Sequence, residues 1–287
     1  MKMLLLGHRG MLGSDLLTQM RLHHEVIGMD KEEIDITSAD DCAKAIKDTA
    51  PQIVINAAAN TNVDGCETAR EDCFAVNAEA LKNIAIACQN KKIQIVHFST
   101  DYVFNGNGSS PYKEDEKCDP INTYGASKLA GEKYLQTLAQ NYILIRTAWL
   151  YGANGKNFVR AIMEKAKTTP RLTVVDDQLG SPTHTKDLAA AVEHLIEKNA
   201  HGIFHVTNRG SCSWYQFAVK ILQESGIDDV EVSPIKSDQL ERAAKRPAYS
   251  VMSMQKFIAT TGKAMQPWQL GLQDYLEIIK SRLHTLT

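Results

Sequence analysis

The chain has 287 residues, of which 44% are hydrophobic and 23% are charged, and these values exclude a disordered, collagen-like or low-complexity protein. Its 32 Lys and Arg residues against 34 Asp and Glu residues give a net charge of -2. This balance argues against a nucleic acid partner, because neutralising phosphates requires a clear excess of positive charge. A chain of this length forms one large domain, or two unequal domains around a cleft, as enzymes acting on small molecules do.

The sequence also predicts a location and excludes some kinds of site. It has no apolar run of about 18 residues, the length that spans a membrane, and its apolar opening at residues 3–6 is too short for a signal peptide. We therefore expect a cytoplasmic protein without a membrane partner. The six cysteines lack the spacing of metal ligands, which argues against a metal site and against a disulfide framework.

The first half of the chain alternates short apolar runs with longer helical patterns. The apolar runs predict strands at residues 2–6, 25–29, 52–56, 93–98 and 142–147. The stretches between them predict helices at residues 12–21, 39–48, 71–89 and 123–138. Because the strands are apolar almost throughout, we expect a parallel sheet covered on both faces, in a doubly wound, Rossmann-like α/β fold with right-handed crossovers.

After residue 151 the order of elements changes. We predict a helix at 157–167, a strand at 172–175, a helix at 186–198, a strand at 203–206 and further helices beyond. The whole order indicates a dinucleotide-binding domain at 1–150, to which segments within roughly 172–210 return. Residues 151–287 then form mainly a smaller mixed α/β substrate-binding lobe at the carboxyl end of the sheet.

Three glycines, Gly7, Gly10 and Gly13, lie between the first predicted strand and the first predicted helix. Glycines at such a turn let backbone N–H groups approach a pyrophosphate at the positive end of the helix. The alternative is an ordinary connection from strand to helix that needs a positive φ. The position of the glycines in the first βαβ unit favours nucleotide binding.

The second predicted strand is followed by Asp30, where dinucleotide-binding units place a carboxylate against the ribose hydroxyls. A carboxylate favours NADH because it repels the 2′-phosphate of NADPH, whereas Arg9 and Lys31 offer cations to that phosphate. The residues alone therefore leave the cofactor preference open. The small residues 57–59 end the next strand and let a flat ring pass close to the backbone, with close helix packing as the alternative.

Reactive side chains follow the strand predicted at 93–98. Thr100 is short enough to hydrogen-bond to a substrate carbonyl at the carboxyl end of the sheet. Tyr124 and Lys128 stand four residues apart on a predicted helix, so they share a face. An ammonium beside a phenol lowers the pKa of the tyrosine, as proton transfer requires. The Tyr–Lys spacing alone is typical of a surface helix, and its combination with the glycines and Thr100 indicates an enzyme.

These motifs together resemble the extended short-chain dehydrogenase/reductase family, and within it the reductases of dTDP-linked 4-keto-6-deoxyhexoses. The matching segments are residues 7–13, 56–64, 99–104, 124–132, 146–152, 177–183 and 246–247. The resemblance implies hydride transfer from NADPH, with NADH also accepted, to the 4-keto group of a dTDP-4-dehydro-6-deoxy-L-hexose. The product would be dTDP-L-rhamnose, used for surface polysaccharides. The sequence leaves the oligomeric state open, with a homodimer as one alternative.

In this family a Ser or Thr, a Tyr and a Lys do the chemistry, which implies Thr100, Tyr124 and Lys128 here. The resemblance further implies that Thr100, Asp101 and Trp149 bind the sugar substrate. The residues expected to bind the cofactor, from the glycine-rich turn and from the resemblance, are Gly7, Arg9, Gly10, Met11, Leu12, Asp30, Asp35, Ile36, Ala57, Ala58, Ala59, Tyr124 and Lys128.

Other interpretations of four residues stay open. Asp35 also suits a turn that enters a helix, and Trp149 also suits a core aromatic residue beneath the second lobe. Some family members carry magnesium, and Asp15 matches one ligand position. Lys186 stands where a second acid is expected, so no metal is predicted. Arg246, in a compact basic cluster with neighbours at 242 and 245, is expected to bind the substrate phosphates, with a solvated helix end as the alternative.

Two other functions remain as alternatives. One is a related sugar-nucleotide epimerase or dehydratase, but dehydratases of this family typically have Asp-Glu after the central Thr, where this chain has Asp101 and Tyr102. The other is a regulatory subunit that keeps the fold without catalysis. The presence of Thr100, Tyr124 and Lys128 disfavours that alternative.

Overall fold

The computed structural model describes residues 1–89 and 91–284. The strands in chain order are β1 (Lys2–Leu6), β2 (Glu25–Met29), β3 (Ile53–Asn56), β4 (Gln94–Thr100), β5 (Tyr142–Thr147), β6 (Leu150–Tyr151), β7 (Arg171–Val175), β8 (Leu179–Gly180), β9 (Thr183–His184), β10 (Gly202–His205), β11 (Cys212–Ser213) and β12 (Glu231–Ile235). The helices are α1 (Met11–Met20), α2 (Ala39–Thr49), α3 (Val63–Thr68), α4 (Arg70–Phe74), α5 (Ala80–Cys88), α6 (Thr123–Leu138), α7 (Phe158–Ala166), α8 (Thr185–Glu197), α9 (Trp214–Ser225), α10 (Gln255–Thr261) and α11 (Trp268–His284).

A six-stranded sheet in the order β2-β1-β3-β4-β5-β10 forms the centre of the molecule, and all neighbouring strands run parallel. One face packs against α1 and α8, and the other packs against α2 and α5. This arrangement confirms the predicted doubly wound α/β fold. Because β1 lies between β2 and β3, the crevice at which such sheets bind ligands opens beside the turn that follows β1.

The region beyond residue 206, which we predicted as helices, also contains the strands β11 and β12, because they pair with β8 and β7. Two further predicted elements differ from the structure. The helix expected at 71–89 is interrupted by a π-helical turn at Ala75–Glu79. This wide turn directs the side chain of Asn77 to the backbone of Asn60, with which it makes hydrogen bonds of 2.9 and 3.0 Å. The strand expected at 93–98 continues to Thr100, because residues 99 and 100 still pair with β5. Both differences arise from contacts with segments that are distant in sequence.

The second lobe has its own core. β7 pairs with β12, and helices α7, α9 and α11 pack around Phe217, Leu272 and Tyr275. The chain then returns to the large sheet through α8, which packs on α1, and through β10. Residues 172–175, which we expected within the returning segments, pair with β12 outside the large sheet. The division of the chain at residue 150 stays a prediction.

Among the described residues, no helix combines the length and the apolar character that crossing a bilayer requires. The same residues contain no group of three or more His, Cys, Asp or Glu side chains arranged to bind a metal ion. Asp15, considered above as a metal ligand, instead accepts a hydrogen bond from Thr185 and so connects α1 with α8.

Candidate active site

The glycine loop, residues 7–13, needs its first glycine for two reasons. Gly7 has a φ of +78°, and a Cβ there would lie 2.8 Å from the backbone nitrogen of Ala58. Any side chain would therefore both strain the backbone and collide with the segment after β3. Gly10 caps α1 without any side-chain hydrogen bond to the first turn. The N–H groups at the start of α1 thus face the loop without a side-chain acceptor, as anion-binding helix ends do.

A cleft of about 710 Å³, here called the loop cleft, opens beside the glycine loop. Residues of the loop, of the segment after β2 and of the segment after β3 line it. Those among them that we predicted to bind the cofactor are Gly7, Arg9, Gly10, Asp30, Asp35, Ile36, Ala57, Ala58 and Ala59. The side chains of Met11 and Leu12 lie elsewhere, since Leu12 is buried in the core and Met11 lies against Gly152.

Opposite charges meet at the outer edge of the loop cleft. The Arg9 guanidinium pairs with Glu32 at 3.0 Å and also with Glu33. The backbone N–H of Arg9 donates a hydrogen bond to Asp30 Oδ2 at 3.0 Å. Burial alone would raise the pKa of Asp30, but backbone hydrogen bonds from Lys31 and Arg9 lower it below its ordinary value. The cation expected to attract a 2′-phosphate is therefore in place, although two carboxylates share it.

Asp35 lines the loop cleft and also holds a turn. Its carboxylate accepts hydrogen bonds from the N–H of Thr37 at 2.9 Å and from the hydroxyl of Thr37 at 2.7 Å. The hydroxyl and then the N–H lower the pKa of Asp35 below its ordinary value. The turn role that the sequence left open is present, and a cofactor role for Asp35 stays a prediction.

Thr100 and Tyr124 come together at the carboxyl end of β4, as the sequence predicted. The Thr100 side chain lies close enough to the phenol of Tyr124 to influence its pKa. Thr100 Oγ1 also lies 3.0 Å from Asp101 Oδ1 and accepts a hydrogen bond from the N–H of Tyr102 at 3.1 Å. This network fixes the hydroxyl of Thr100 next to the phenol of Tyr124. We call Thr100, Tyr124 and Lys128 the Thr–Tyr–Lys group.

The start of α6 places Tyr124 close to this strand end. The Asn122 side chain caps the helix by accepting from the N–H of Gly125 at 2.7 Å. A Cβ at Gly125 would lie 2.1 Å from the carbonyl oxygen of Tyr102, so only glycine allows the helix this close to β4. The rings of Tyr102 and Tyr124 then meet edge to face, 6.0 Å apart. The position of Tyr124 thus depends on the glycine that follows it.

The pKa of Tyr124 shifts in the direction opposite to the one expected from its spacing with Lys128. Burial and the nearby Asp101 carboxylate raise the pKa of Tyr124, while the Thr100 side chain opposes the rise. Lys128 Nζ is directed to His97, with 3.3 Å between Nζ and the imidazole Nε2. The expectation of a lowered tyrosine pKa is therefore wrong for this arrangement. Burial lowers the pKa of Lys128 itself to about 8.

Asp101 is an acid held almost out of water. Burial raises its pKa to about 6, although hydrogen bonds with Ser250 and Thr100 oppose the rise. The side chain lies beside Thr100 and near Tyr124, where the sequence analysis expected a substrate contact. Ser250 is a neighbour that no local pattern in the sequence indicated, because it belongs to a segment distant from the β4 strand.

Trp149 adopts a left-handed backbone conformation with a φ of +49°. Its ring stacks on Trp214, with centroids 3.5 Å apart and an angle of 6° between the planes. The ring also covers Gly180, where a Cβ would lie 2.4 Å from Trp149 Cε2. The packing role considered above is therefore present. A substrate contact by Trp149 stays a prediction.

Arg246 joins the two lobes. Its guanidinium donates to both carboxylate oxygens of Asp64, at 2.7 and 2.6 Å, and also contacts the hydroxyl of Tyr102. The hydrogen bond with Arg246 is the largest influence on Asp64 and lowers the pKa of that carboxyl to about 2. Arg246 is thus engaged in an ion pair, and it is not part of a solvated helix end.

Sequence reasoning missed two buried polar residues behind the Thr–Tyr–Lys group. His97 contacts Lys128, and Asn77 donates a hydrogen bond to Ser127 Oγ at 3.0 Å. A polar residue in the middle of a predicted buried strand was the available signal for His97, because such groups need a partner. Asn77 had no comparable signal, since the π-helical turn that presents it is not visible in the hydrophobic pattern.

Comparisons with known proteins agree with this geometry. The family described as RmlD substrate binding domain matches residues 1–281. A dTDP-4-keto-6-deoxy-D-glucose reductase of Streptomyces niveus is 36% identical over 97% of both chains. The crystal structure of a dTDP-4-dehydrorhamnose reductase from Clostridium acetobutylicum is 40% identical, has a TM-score of 0.95 and covers 98% of this chain and 100% of its own.

A second structure gives information about a cofactor. The dTDP-4-dehydrorhamnose reductase of Bacillus anthracis, solved in complex with NADP, is 36% identical with a TM-score of 0.93 and covers 96% of this chain and 98% of its own. In each of these comparisons, the similarity extends over nearly the whole length of both chains. The chain therefore belongs to the RmlD substrate binding domain family, a branch of the extended short-chain dehydrogenases/reductases.

Proposed function

We propose that this protein is an NADPH-dependent reductase that converts the 4-keto group of dTDP-4-dehydrorhamnose to the alcohol of dTDP-L-rhamnose. The observation that carries the proposal is the proximity of the Thr100 and Tyr124 side chains at the carboxyl end of β4, with Lys128 one helical turn further on. Relatives bearing this reductase name match the chain over nearly its full length, and one was solved with NADP.

The glycine loop and the loop cleft fit a dinucleotide. The space beside Gly7, which a Cβ would fill, lets a ligand approach the backbone, and the free N–H groups at the start of α1 suit a pyrophosphate. Asp30 and Asp35 line the loop cleft and would accept hydrogen bonds from ribose hydroxyls, and Arg9, on the same cleft, would provide the cation for a 2′-phosphate. When bound, NADPH supplies the hydride that reduces the carbonyl carbon.

The Thr–Tyr–Lys group then handles charge and the proton. As the carbonyl carbon is reduced, negative charge develops on the sugar oxygen, and hydrogen bonds from Thr100 and Tyr124 stabilise it. The raised pKa of Tyr124 keeps its phenol protonated at neutral pH, as a proton donor must be. Tyr124 gives its proton to the oxygen, while Lys128 would hold the nicotinamide ribose of the cofactor. Solvent returns a proton to Tyr124 before the next turnover.

Two further residues complete the proposed sugar site. Asp101 lies beside Thr100 and presents a carboxyl with a pKa of about 6 to the substrate hydroxyls. Trp149 presents an aromatic surface held by its stack on Trp214. We place the enzyme in the cytoplasm. Light scattering on the purified protein would decide between a monomer and a homodimer.

A spectrophotometric assay tests the proposed function. Purified protein is mixed with NADPH and dTDP-4-dehydrorhamnose, and absorbance at the nicotinamide band is followed while NMR identifies the sugar product. We expect one NADPH consumed for each dTDP-L-rhamnose formed. A parallel reaction with dTDP-4-keto-6-deoxy-D-glucose tests the substrate named for the Streptomyces niveus relative. Absence of NADPH oxidation with either sugar would support a regulatory subunit and would overturn the proposal.

A further inference from the structure

A buried histidine lies directly behind the lysine of the Thr–Tyr–Lys group. His97 is in the middle of β4, where it stands opposite Asn56 of β3 and is 1% exposed. Its Nε2 lies 3.3 Å from Lys128 Nζ, and its Nδ1 faces Asn56. Among the described residues, only the side chain of His97 lies within hydrogen-bonding distance of the Lys128 ammonium.

The imidazole of His97 is neutral. Burial, and after it the charge of Lys128, lower the pKa of His97 well below its ordinary value. A neutral imidazole has one N–H donor and one nitrogen acceptor, whereas an ammonium can only donate. Nε2 must therefore accept from Lys128, and the ring proton must reside on Nδ1.

The surroundings of Nδ1 offer a partner to each tautomer. The backbone of Asn56 partly opposes the lowering of the His97 pKa, as a carbonyl oxygen near a ring N–H does, and Nδ1 is the ring nitrogen that faces Asn56. The Asn56 side-chain Oδ1 accepts from the N–H of Ala58 at 3.2 Å, and this contact fixes the orientation of the amide. Its Nδ2 lies 3.3 Å from Nδ1, and because an amide nitrogen only donates, this contact is a hydrogen bond in the opposite tautomer, with Nδ1 unprotonated.

Other groups near Lys128 cannot replace His97 as the acceptor. The Glu132 carboxylate, one turn further along α6, is engaged by Arg146 in hydrogen bonds of 3.0 and 2.7 Å. The Cys73 thiol is the other neighbour that influences Lys128, and it donates to Ser127 Oγ at 3.2 Å. The ammonium is thus held from the side of the sheet by one neutral ring.

We propose that His97 is a positioning residue for Lys128, which it holds by accepting a hydrogen bond at Nε2 with its own proton on Nδ1. The link continues through Asn56 to Ala58, the residue that packs against Gly7 of the glycine loop. His97 therefore connects the loop cleft to the Thr–Tyr–Lys group. The expected effect on turnover rests on the proposed function of Lys128. The predicted tautomer of His97 does not depend on that function.

Nitrogen NMR tests the tautomer without any activity measurement. In protein labelled with ¹⁵N-histidine, long-range proton–nitrogen spectra distinguish protonated from unprotonated ring nitrogens, and comparison with His97→Gln assigns the signal among the nine histidines. We expect an unprotonated Nε2 and a protonated Nδ1 at pH 7. A protonated Nε2, or a ring protonated at both nitrogens, would overturn the proposal.

Two substitutions test the consequence for catalysis. His97→Leu removes the acceptor and should lower kcat by up to about 100-fold, the cost of a catalytic group displaced by about 1 Å. It should also raise the KM for NADPH, because Lys128 is proposed to hold the cofactor ribose. His97→Gln places an amide oxygen near the position of Nε2 and should restore most of the loss. If the Leu and Gln variants have equal kinetics, whether both match the parent or both are equally impaired, the positioning role is wrong.

A second buried histidine provides the control. His205, on β10, also has a pKa lowered mainly by burial and is 3.4 Å from Arg146, but it does not contact the Thr–Tyr–Lys group. His205→Leu should reduce thermal stability while leaving kcat within about twofold of the parent. If His97→Leu fails to fold, the Gln variant and the NMR experiment still decide the proposal. If the parent oxidises no NADPH with either sugar, the proposed function fails and the tautomer is still tested.

Discussion

The loop cleft and the Thr–Tyr–Lys group treat charge in opposite ways. At the loop cleft, the side chain of Arg9 is 53% exposed and is paired with carboxylates that are also largely exposed. At the Thr–Tyr–Lys group, Lys128 is 2% exposed and faces a neutral histidine, and Asp101 is as deeply buried. Solvent and ion pairs stabilise the charges at the loop cleft, whereas the charges around the Thr–Tyr–Lys group are shielded from water.

The difference has energetic consequences. Exposed ion pairs contribute only about 0.2 to 1 kcal/mol, because water and salt screen them. Burial changes the charged state itself, and it raises the pKa of Asp101 to about 6 and lowers that of Lys128 to about 8. Substitutions in the loop cleft should therefore adjust cofactor preference. Substitutions of Asp101 or of the Thr–Tyr–Lys group, which are buried, should strongly affect the chemistry or the stability.

The largest effect should come from Tyr124→Phe, which deletes only the hydroxyl of the proton donor. We expect kcat to fall by a factor of about 10² to 10⁴, the usual contribution of a general acid, while NADPH binding changes little. Tyr134→Phe on the same helix is the matched control, since that hydroxyl contacts Glu79 at 2.8 Å. Near-parental turnover of Tyr124→Phe would show that another group donates the proton.

Asp101→Asn should produce a pH-dependent gain in stability. The pKa of this Asp is 3.8 ordinarily and about 6 in the fold, so the folded protein loses stability as the pH rises from about 4 to 6. The Asn variant avoids this loss, which amounts to about 3 kcal/mol for a shift of this size. Urea unfolding at pH 4 and pH 8 should show a gain at pH 8 and none at pH 4.

Asp30→Asn, in the loop cleft, should behave in the opposite way. Its pKa is lowered in the fold, so the carboxylate contributes stability above its ordinary pKa of 3.8, and the contribution disappears as the pH falls. The variant should therefore be less stable than the parent at pH 7, and the difference should shrink as the pH falls below 3.8. A loss of the same sign for Asp30→Asn and Asp101→Asn at pH 8 would contradict the comparison between the two regions.

Arg246→Ala lies between the two cases, because its pair with Asp64 is half-buried. Removing the guanidinium should cost about 1 to 2 kcal/mol of unfolding free energy at pH 7. The cost should shrink as the pH falls from about 4 towards the Asp64 pKa of about 2, where the carboxylate takes up a proton. Asp64→Asn should show a similar loss. Unchanged stability in both variants would mean that the ion pair does not hold the lobes together.

The smallest effect should come from Glu32→Gln, which removes one of the carboxylates that share Arg9. The freed guanidinium should attract a 2′-phosphate more strongly and raise kcat/KM for NADPH relative to NADH by about twofold to fivefold at low salt, a change of under about 1 kcal/mol. High salt should remove the gain. Glu164→Gln, in an exposed pair with Lys167 on the second lobe, should leave the ratio unchanged.

Local patterns predicted a large part of the fold. Helix α6 begins and ends where its periodicity predicts, because Asn122 caps its first turn. The glycine loop follows β1 because the close approach of Ala58 tolerates no side chain at Gly7. The sequence also allowed us to predict that Thr100 and Tyr124 lie close together, because the carboxyl ends of parallel strands and the helices that follow them meet at one edge of a sheet.

Other features depend on segments that only the folded chain brings together. Arg246 binds Asp64 across 182 positions, and no spacing rule connects residues so far apart. The spacing of Tyr124 and Lys128 placed both on one helical face, but it could not show that the flexible lysine side chain is directed to His97. Burial reversed the expected shift of the tyrosine pKa, because desolvation depends on every element packed around the phenol. The sequence by itself thus determined which reactive groups the protein carries and the edge of the sheet where they meet. Only the tertiary structure decided their partners and their proton affinities, since both depend on water being excluded by distant parts of the chain.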